Sequence, residues 1–169
     1  APKLHPKGNL LAKSLLKRGD PDKAISEAAI VVRKKFRTPE TEHAFMEVES
    51  ALAIPGEDGT LTVYTGTQGI YEDYKGIVGV LGVPAEKVKV ISAYVGGGFG
   101  GKEDLIVQHH AALLAWNLKV PVKLTLDRQE SIRVHPKRHA FEMDYVVAAD
   151  ADGHVTAVKA DLLEDTGAY

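Results

Sequence analysis

The sequence predicts an α+β fold, a mixed or antiparallel sheet with helices packed on it. Three observations predict it. Short alternating apolar runs bounded by turn residues dominate both ends of the chain. A central stretch changes its apolar spacing from the period of a strand to that of a helix. At 169 residues with 44% hydrophobic and 26% charged residues, the chain can bury a core, and no apolar run nears the roughly 20 residues that cross a bilayer.

The elements follow in order. Residues 1–22 are polar and basic and form an extended segment, ahead of a domain over 23–169. Leu10, Leu11, Leu15 and Leu16 are its only apolar grip, enough for a helical turn at best. Gly19-Asp20-Pro21-Asp22 is a turn that opens a short helix. Ala29–Arg37 is β-rich and then basic. Its Arg33-Lys34-Lys35 run reads as a solvated strand edge guarded by charge, rather than a nucleic-acid patch. His43–Ile54 alternates in part, with Phe45 and Met46 as its bulk, and predicts a strand closed by the turn at 55–59. Leu61–Thr65 is the next strand. Ile70, Tyr71, Tyr74, Ile77, Val78 and Leu81 fall on one helical face, and Gly82 with Pro84 ends that helix. Lys87–Val95 predicts a strand, Asp104–Leu118 a helix, Val120–Leu126 a strand and Asp127–Val134 a short helix or turn. His139–Ala149 and Val155–Leu163 flank Asp150-Ala151-Asp152-Gly153 as a hairpin.

Composition excludes several functions. A net charge of −2 gives no basic footprint for nucleic acid. With no cysteine, the chain itself offers no disulfide, thiolate nucleophile, zinc ribbon or iron–sulfur ligand. His109 and His110 are neighbours and point in different directions on a helix. His135 and His139 are four apart, but Pro136 breaks the helix between them. Neither pair predicts zinc. No serine has a GxSxG setting. Residues 1–7 carry no secretory apolar stretch, and Asp165-Thr166-Gly167-Ala168-Tyr169 stops without a polar tail. The expectation is a piece of a longer protein whose domain continues past 169.

The most specific feature is Gly96-Gly97-Gly98-Phe99-Gly100-Gly101-Lys102-Glu103, between a predicted strand and helix. Glycines let backbone N–H groups approach an anionic or oxo ligand, and a following helix start adds partial positive charge. The Phe99 ring must be buried or must wall a pocket. Residues 96–102 satisfy GxxxxGK, but Glu103 stands where a phosphate loop needs Ser or Thr. Gly96, Gly98 and Gly101 satisfy GxGxxG, with Asp127 near the place of a ribose-binding acid, which leaves a small NAD-binding oxidoreductase open. A glycine turn without a ligand, in a non-catalytic assembly domain, is the plainest alternative.

This loop resembles the signature loop of the xanthine dehydrogenase/aldehyde oxidase family of molybdenum hydroxylases. The resemblance extends in order through Glu42-His43-Ala44-Phe45-Met46-Glu47, where Val48 replaces a usual proline, through Thr67-Gln68, Arg128-Gln129-Glu130 and Arg138-His139, and to 165–169. It implies a molybdenum cofactor, as molybdopterin or its cytosine dinucleotide form, whose pterin supplies the sulfur ligands; that suits a chain with no cysteine. Gln68 then donates to a metal oxygen ligand, the backbone at Phe99 and Gly100 approaches the same ligands, and Gly98 and Gly101 shape the turn. Glu103 faces substrate, or else caps the helix after it. The reaction implied is hydroxylation of an N-heterocycle or aldehyde with oxygen from water. The family's glutamate base and substrate-orienting arginine lie in later segments, so no catalytic residue is assigned here. The expected partners are the remainder of the molybdenum subunit, modules carrying FAD and 2Fe-2S, and a small-molecule substrate, with no nucleic acid or membrane. The expected location is cytoplasmic.

Overall fold

The computed structural model describes residues 2–3, 5–6 and 8–167. The chain divides into two compact units.

One unit takes residues up to Arg37 together with Phe141–Glu164. Residues 10–18, with all four leucines exposed, adopt no regular element, because four leucines without partners cannot offset the ordering of a helix. Helix α1 (Pro21–Glu27) starts where Asp20 accepts a hydrogen bond from the Lys23 amide and Pro21 presets the first turn. Strands β1 (Ile30–Thr38), β6 (Ala140–Ala149) and β7 (Val155–Asp165) form a sheet in the order β1-β6-β7. Ion pairs Lys35–Asp144 and Arg37–Glu142 run in opposite senses along β1 and β6, the pattern of an antiparallel pair. Asp150 shapes the β6–β7 turn by accepting from the amides of Asp152 and His154.

The other unit takes Thr38–Ala140 with the residues from Asp165. Strands β2 (Ser50–Pro55), β3 (Leu61–Thr65), β4 (Val88–Ser92) and β5 (Val122–Thr125) form a mixed sheet, β4-β3-β2-β5. β2 is antiparallel to both β3 and β5, while β3 is parallel to β4. The crossover between β3 and β4 carries α2 (Ile70–Leu81), which ends at Gly82 in the left-handed region with its N–H on the Val78 carbonyl. α3 (Gln108–Leu118) packs on β2 and β5 as well as on α2. Ala111, Ala112 and Ala115 let it approach Ala51 and Ala53 closely, and Leu61, Val63 and Ile77 fill the layer between. Fully burying each of those larger side chains contributes about 1.5–3 kcal/mol. α4 (Arg128–Val134) begins with a capping box, Asp127 and Glu130 exchanging side chain and backbone.

The α+β expectation holds: two sheets, one mixed, with helices on them. Three segments depart most from the sequence reading, the other elements differing only at their ends. Residues 43–48 are not strand, because Ala44 turns into the left-handed region at φ 53° and buries Phe45 while leaving Met46 91% exposed. β4 stops at Ser92 and α3 starts at Gln108, so the helix loses residues 104–107 to bends. The glycine loop therefore sits inside a long connection, 93–107, and does not run directly into a helix. No helix among the described residues is long and apolar enough to cross a membrane.

Candidate functional site

The glycine loop lies on a floor made by the irregular segment 42–49. The Gly96 amide donates to Glu47 Oε2 at 2.6 Å, and Lys102 Nζ donates to the same oxygen at 2.8 Å. Lys102 is only 2% exposed, and its ammonium stands 4.7 Å over the Phe45 ring. Burial alone would raise the Glu47 carboxyl, but Lys102 and the Gly96 amide outweigh it and hold Glu47 below its ordinary value. Glycine is required where the loop crosses this floor. A Cβ at Gly101 would lie 2.8 Å from the Phe45 ring and 2.9 Å from His43 Nδ1, both on rigid rings.

Gln68 reaches the loop from the other side. It stands in the turn between β3 and α2, and its backbone amide donates to the Lys102 carbonyl at 2.9 Å. Thr67 Oγ1 bonds the same carbonyl and accepts from the Gly69 amide, which fixes the turn. Gln68 Oε1 accepts from the amides of Gly100 and Lys102 at 3.0 and 3.2 Å. With Oε1 engaged, its Nε2 has no acceptor among the described residues. Neither do the amides of Gly97, Gly98 and Phe99. Phe99 adopts φ 54°, a conformation disfavoured for a residue with a Cβ, and its ring is 73% exposed beside Gly97. The loop and Gln68 thus offer neutral donors, backbone N–H groups in succession and a primary amide, of the kind that suits oxo or phosphate oxygens.

Gln68, Gly98, Phe99, Gly100 and Gly101 are thus brought together. The Phe99 ring is not buried, so core packing does not explain it. Glu103 follows the loop as an exposed residue; α3 starts five positions later, too far for Glu103 to cap it. The phosphate-loop reading fails because Lys102 is buried against Glu47. The dinucleotide reading fails because Asp127 is spent on capping α4 and the glycines do not open a helix. Two surface hollows, of about 750 Å³ beside Arg33 and Lys159 and about 270 Å³ beside Lys137 and His139, include neither Gln68 nor the loop.

Sequence reasoning missed the polar supports. Asp73 is fully buried on α2, three residues after Ile70 and four before Ile77, so its place on the apolar face was legible. Its Oδ2 accepts from Gln108 Nε2, and Gln108 Oε1 accepts from the amides of Ile106 and Val107, tying α2 to the end of the loop connection. Burial pushes the Asp73 carboxyl up to about 6, against the hydrogen bond from Gln108 and the nearby Thr67 hydroxyl, which lower it. The folded state therefore favours the protonated acid. The stability that Asp73 contributes is present below about pH 4 and is lost as pH rises through 6, on the order of 2–3 kcal/mol. Asp73→Asn should flatten that slope, its advantage over wild type growing between about pH 4 and 7 in urea denaturation. A slope unchanged by the substitution would assign the pH dependence elsewhere.

The histidines also differ from expectation. The His109 and His110 rings lie 3.9 Å apart rather than diverging, and burial, then the neighbouring ring, lowers the His109 pKa. His135 is buried at the end of α4 between Glu42 and Glu49. Among the described residues, Asp150, Asp152 and His154 could bring three ligand atoms within 4.8 Å, but Asp152 and His154 are exposed, and the half-buried Asp150 is already hydrogen-bonded within the turn. Ala168 and Tyr169 of the last resembling segment lie outside the described residues.

Known proteins match the chain along nearly all of its length. Residues 4–169 match the family described as molybdopterin cofactor-binding domain. The chain is 39% identical over 169 residues to the nicotinate dehydrogenase large molybdopterin subunit of Eubacterium barkeri, covering all of this chain and 40% of that one. It is 36% identical over 168 residues to the xanthine dehydrogenase molybdenum-binding subunit of Escherichia coli O157:H7, covering 98% of this chain and 22% of that one. Its fold superposes on the aldehyde oxidoreductase of Desulfovibrio gigas with a TM-score of 0.79 at 25% identity, over 87% of this chain and 16% of that chain. The chain spans less than half the length of each of these relatives.

Proposed function

Because the chain belongs to the molybdopterin cofactor-binding domain family, we propose that it forms part of the cofactor site of a molybdenum hydroxylase of the xanthine dehydrogenase/aldehyde oxidase type. The observation that carries this reading is the junction of Gln68 with the glycine loop. Its Oε1 is locked on the Gly100 and Lys102 amides, while its own NH₂ and the amides of Gly97, Gly98 and Phe99 have no acceptor among the described residues. The residues fit the group: a cradle of donors with no side chain between it and the ligand, and no cysteine needed from the chain.

When bound, the cofactor supplies the redox and hydroxylating centre. The chain's own part is to bind and orient. Gln68 Nε2 would donate to an oxygen of the bound group, and the Phe99 amide, with those of Gly97 and Gly98, would donate beside it, while the Gly100 N–H holds Gln68 in place. Gly98 and Gly101 keep the ribbon bare. The exposed Phe99 ring walls the site, and Glu103, following the loop, is the substrate-facing carboxylate. A carboxylate there suits an N-heterocycle, and the names of two relatives, for nicotinate and for xanthine, point to compounds of that class. The general base and further substrate contacts come from the remainder of the subunit, and FAD and 2Fe-2S modules remove the electrons. A cytoplasmic location belongs to the same proposal.

The test uses the intact protein. Purification should yield about one molybdenum per chain by elemental analysis and hydroxylation of an N-heterocycle with label from H₂¹⁸O. Gln68→Ala should lower kcat by roughly ten- to a hundredfold with circular dichroism unchanged, as expected when a support of a metal's ligand is removed. The isolated 169-residue chain should not turn over. Absence of molybdenum from the intact protein, or turnover by the isolated chain, sinks the reading.

A further inference from the structure

Two side-chain oxygens fasten the glycine loop, and the proposed function uses only one of them. Gln68 Oε1 takes the amides of Gly100 and Lys102. Glu47 Oε2 takes the Gly96 amide and the Lys102 ammonium. Gly96 opens the loop and Lys102 closes it, so one carboxylate oxygen joins the two ends. The Lys102 end is buried, with its ammonium over the Phe45 ring. At the other end the backbone lies directly on Glu47: a Cβ at Gly96 would stand 2.7 Å from the Glu47 Cβ. Glu47 also borders the turn that carries Gln68, since a Cβ at Gly66 would stand 3.4 Å from its Oε2.

The loop needs such fastening. Five of the six residues 96–101 are glycine, the residue that loses most conformational freedom on ordering. The Phe99 ring is largely exposed and gives the loop little packing. Donors act on a ligand without reorganising only when they are held beforehand. We propose that Glu47 is a positioning residue: by joining Gly96 to Lys102 through one oxygen, it fixes the bow of backbone between them against Gln68. Glu47 works through the loop and donates nothing to a ligand. What matters is an acceptor at that reach, and Lys102 neutralises its charge. The consequence for a bound cofactor rests on the reading above; the fastening of the loop does not.

The test is hydrogen exchange on the intact protein, resolved to single amides and corrected for intrinsic rates. The readout is the Gly100 amide, whose acceptor is Gln68 and which no substitution below deprives of its partner. The main variant is Glu47→Ala with Lys102→Met, which leaves no stranded charge and so separates fastening from overall stability. Exchange at Gly100 should rise at least about fivefold in this variant, with the urea midpoint near that of wild type. Glu47→Gln keeps an oxygen at the same reach for both donors and should stay within about twofold of wild type. Glu47→Asp keeps the charge but is one methylene short; it should exchange as the double variant does, and it replaces that variant if the latter does not fold. Each form is also prepared from molybdate-starved cells, so that loss of cofactor is not mistaken for loss of fastening. In molybdenum-loaded samples, kcat per bound molybdenum should fall about five- to tenfold in the double variant, with KM changed less than about threefold. A Gly100 amide as protected in the double variant as in wild type, or exposed as far in Glu47→Gln as in the double variant, overturns the proposal. Absence of molybdenum from wild type sinks the cofactor reading and leaves the Gly100 exchange to decide the fastening.

Discussion

Gly98→Ala is expected to strip the intact protein of molybdenum while leaving its fold standing. A Cβ at Gly98 would lie 2.2 Å from Gln68 Oε1 and 2.6 Å from its Cδ. A free glutamine would swing aside, but this one is pinned by the Gly100 and Lys102 amides. Relief requires the side chain to leave, which breaks both bonds and removes the primary amide from the cradle. The lost contacts cost about 1–3 kcal/mol locally. That is small beside a domain's total stability, yet it displaces the proposed ligand-facing group altogether. Molybdenum per chain should drop at least about tenfold, corresponding to about 1.4 kcal/mol or more of binding, with unchanged circular dichroism. Gly79→Ala is the matched control. Gly79 lies within α2 with nothing within 4 Å of its added Cβ, so it should keep its molybdenum and gain up to about 1 kcal/mol of stability. Full molybdenum in Gly98→Ala would place the cofactor elsewhere.

Glu47→Ala should have the largest effect on stability. It removes the one carboxylate that meets the buried Lys102 ammonium and the Gly96 amide. The charge left behind would face only the Phe45 ring, and breaking a buried pair on one side costs roughly 3–5 kcal/mol. Glu47 is itself partly exposed, which puts the expectation at the lower end, about 3 kcal/mol in urea denaturation. The double variant Glu47→Ala with Lys102→Met should recover most of that loss, because an apolar chain then fills the site without a stranded charge. A single variant losing under about 0.5 kcal/mol would show the pair to be solvent-screened.

The elements most legible in the sequence are those with local causes. α2 was readable from its apolar face and its Gly82 stop, and the β6–β7 hairpin from its Asp-Gly turn. The elements that resisted are governed from a distance. Residues 43–48 alternate like a strand, yet Phe45 is drawn under Gly101 and Lys102, 55 residues or more away, and Met46 is turned out. Residues 104–107 read as helix because they contain no breaker. They are held as bends because Gln108 turns its side chain back onto the amides of Ile106 and Val107. The spacing puts Asp73 on the apolar face of α2, but nothing local says what it will meet there, or that Glu49 will be covered at all.

By itself the sequence determined which backbone could lie bare, because a run of glycines permits approach wherever it is placed, and which family that run belongs to. Only the tertiary structure decided what the bare ribbon meets. Gln68, the floor at 42–49 and His135 are far apart along the chain, and parallel pairing of β3 with β4 together with the return of α4 brings them to one place. Partnership between side chains distant in sequence leaves no periodic trace, so a buried ion pair and an exposed one are written with the same letters.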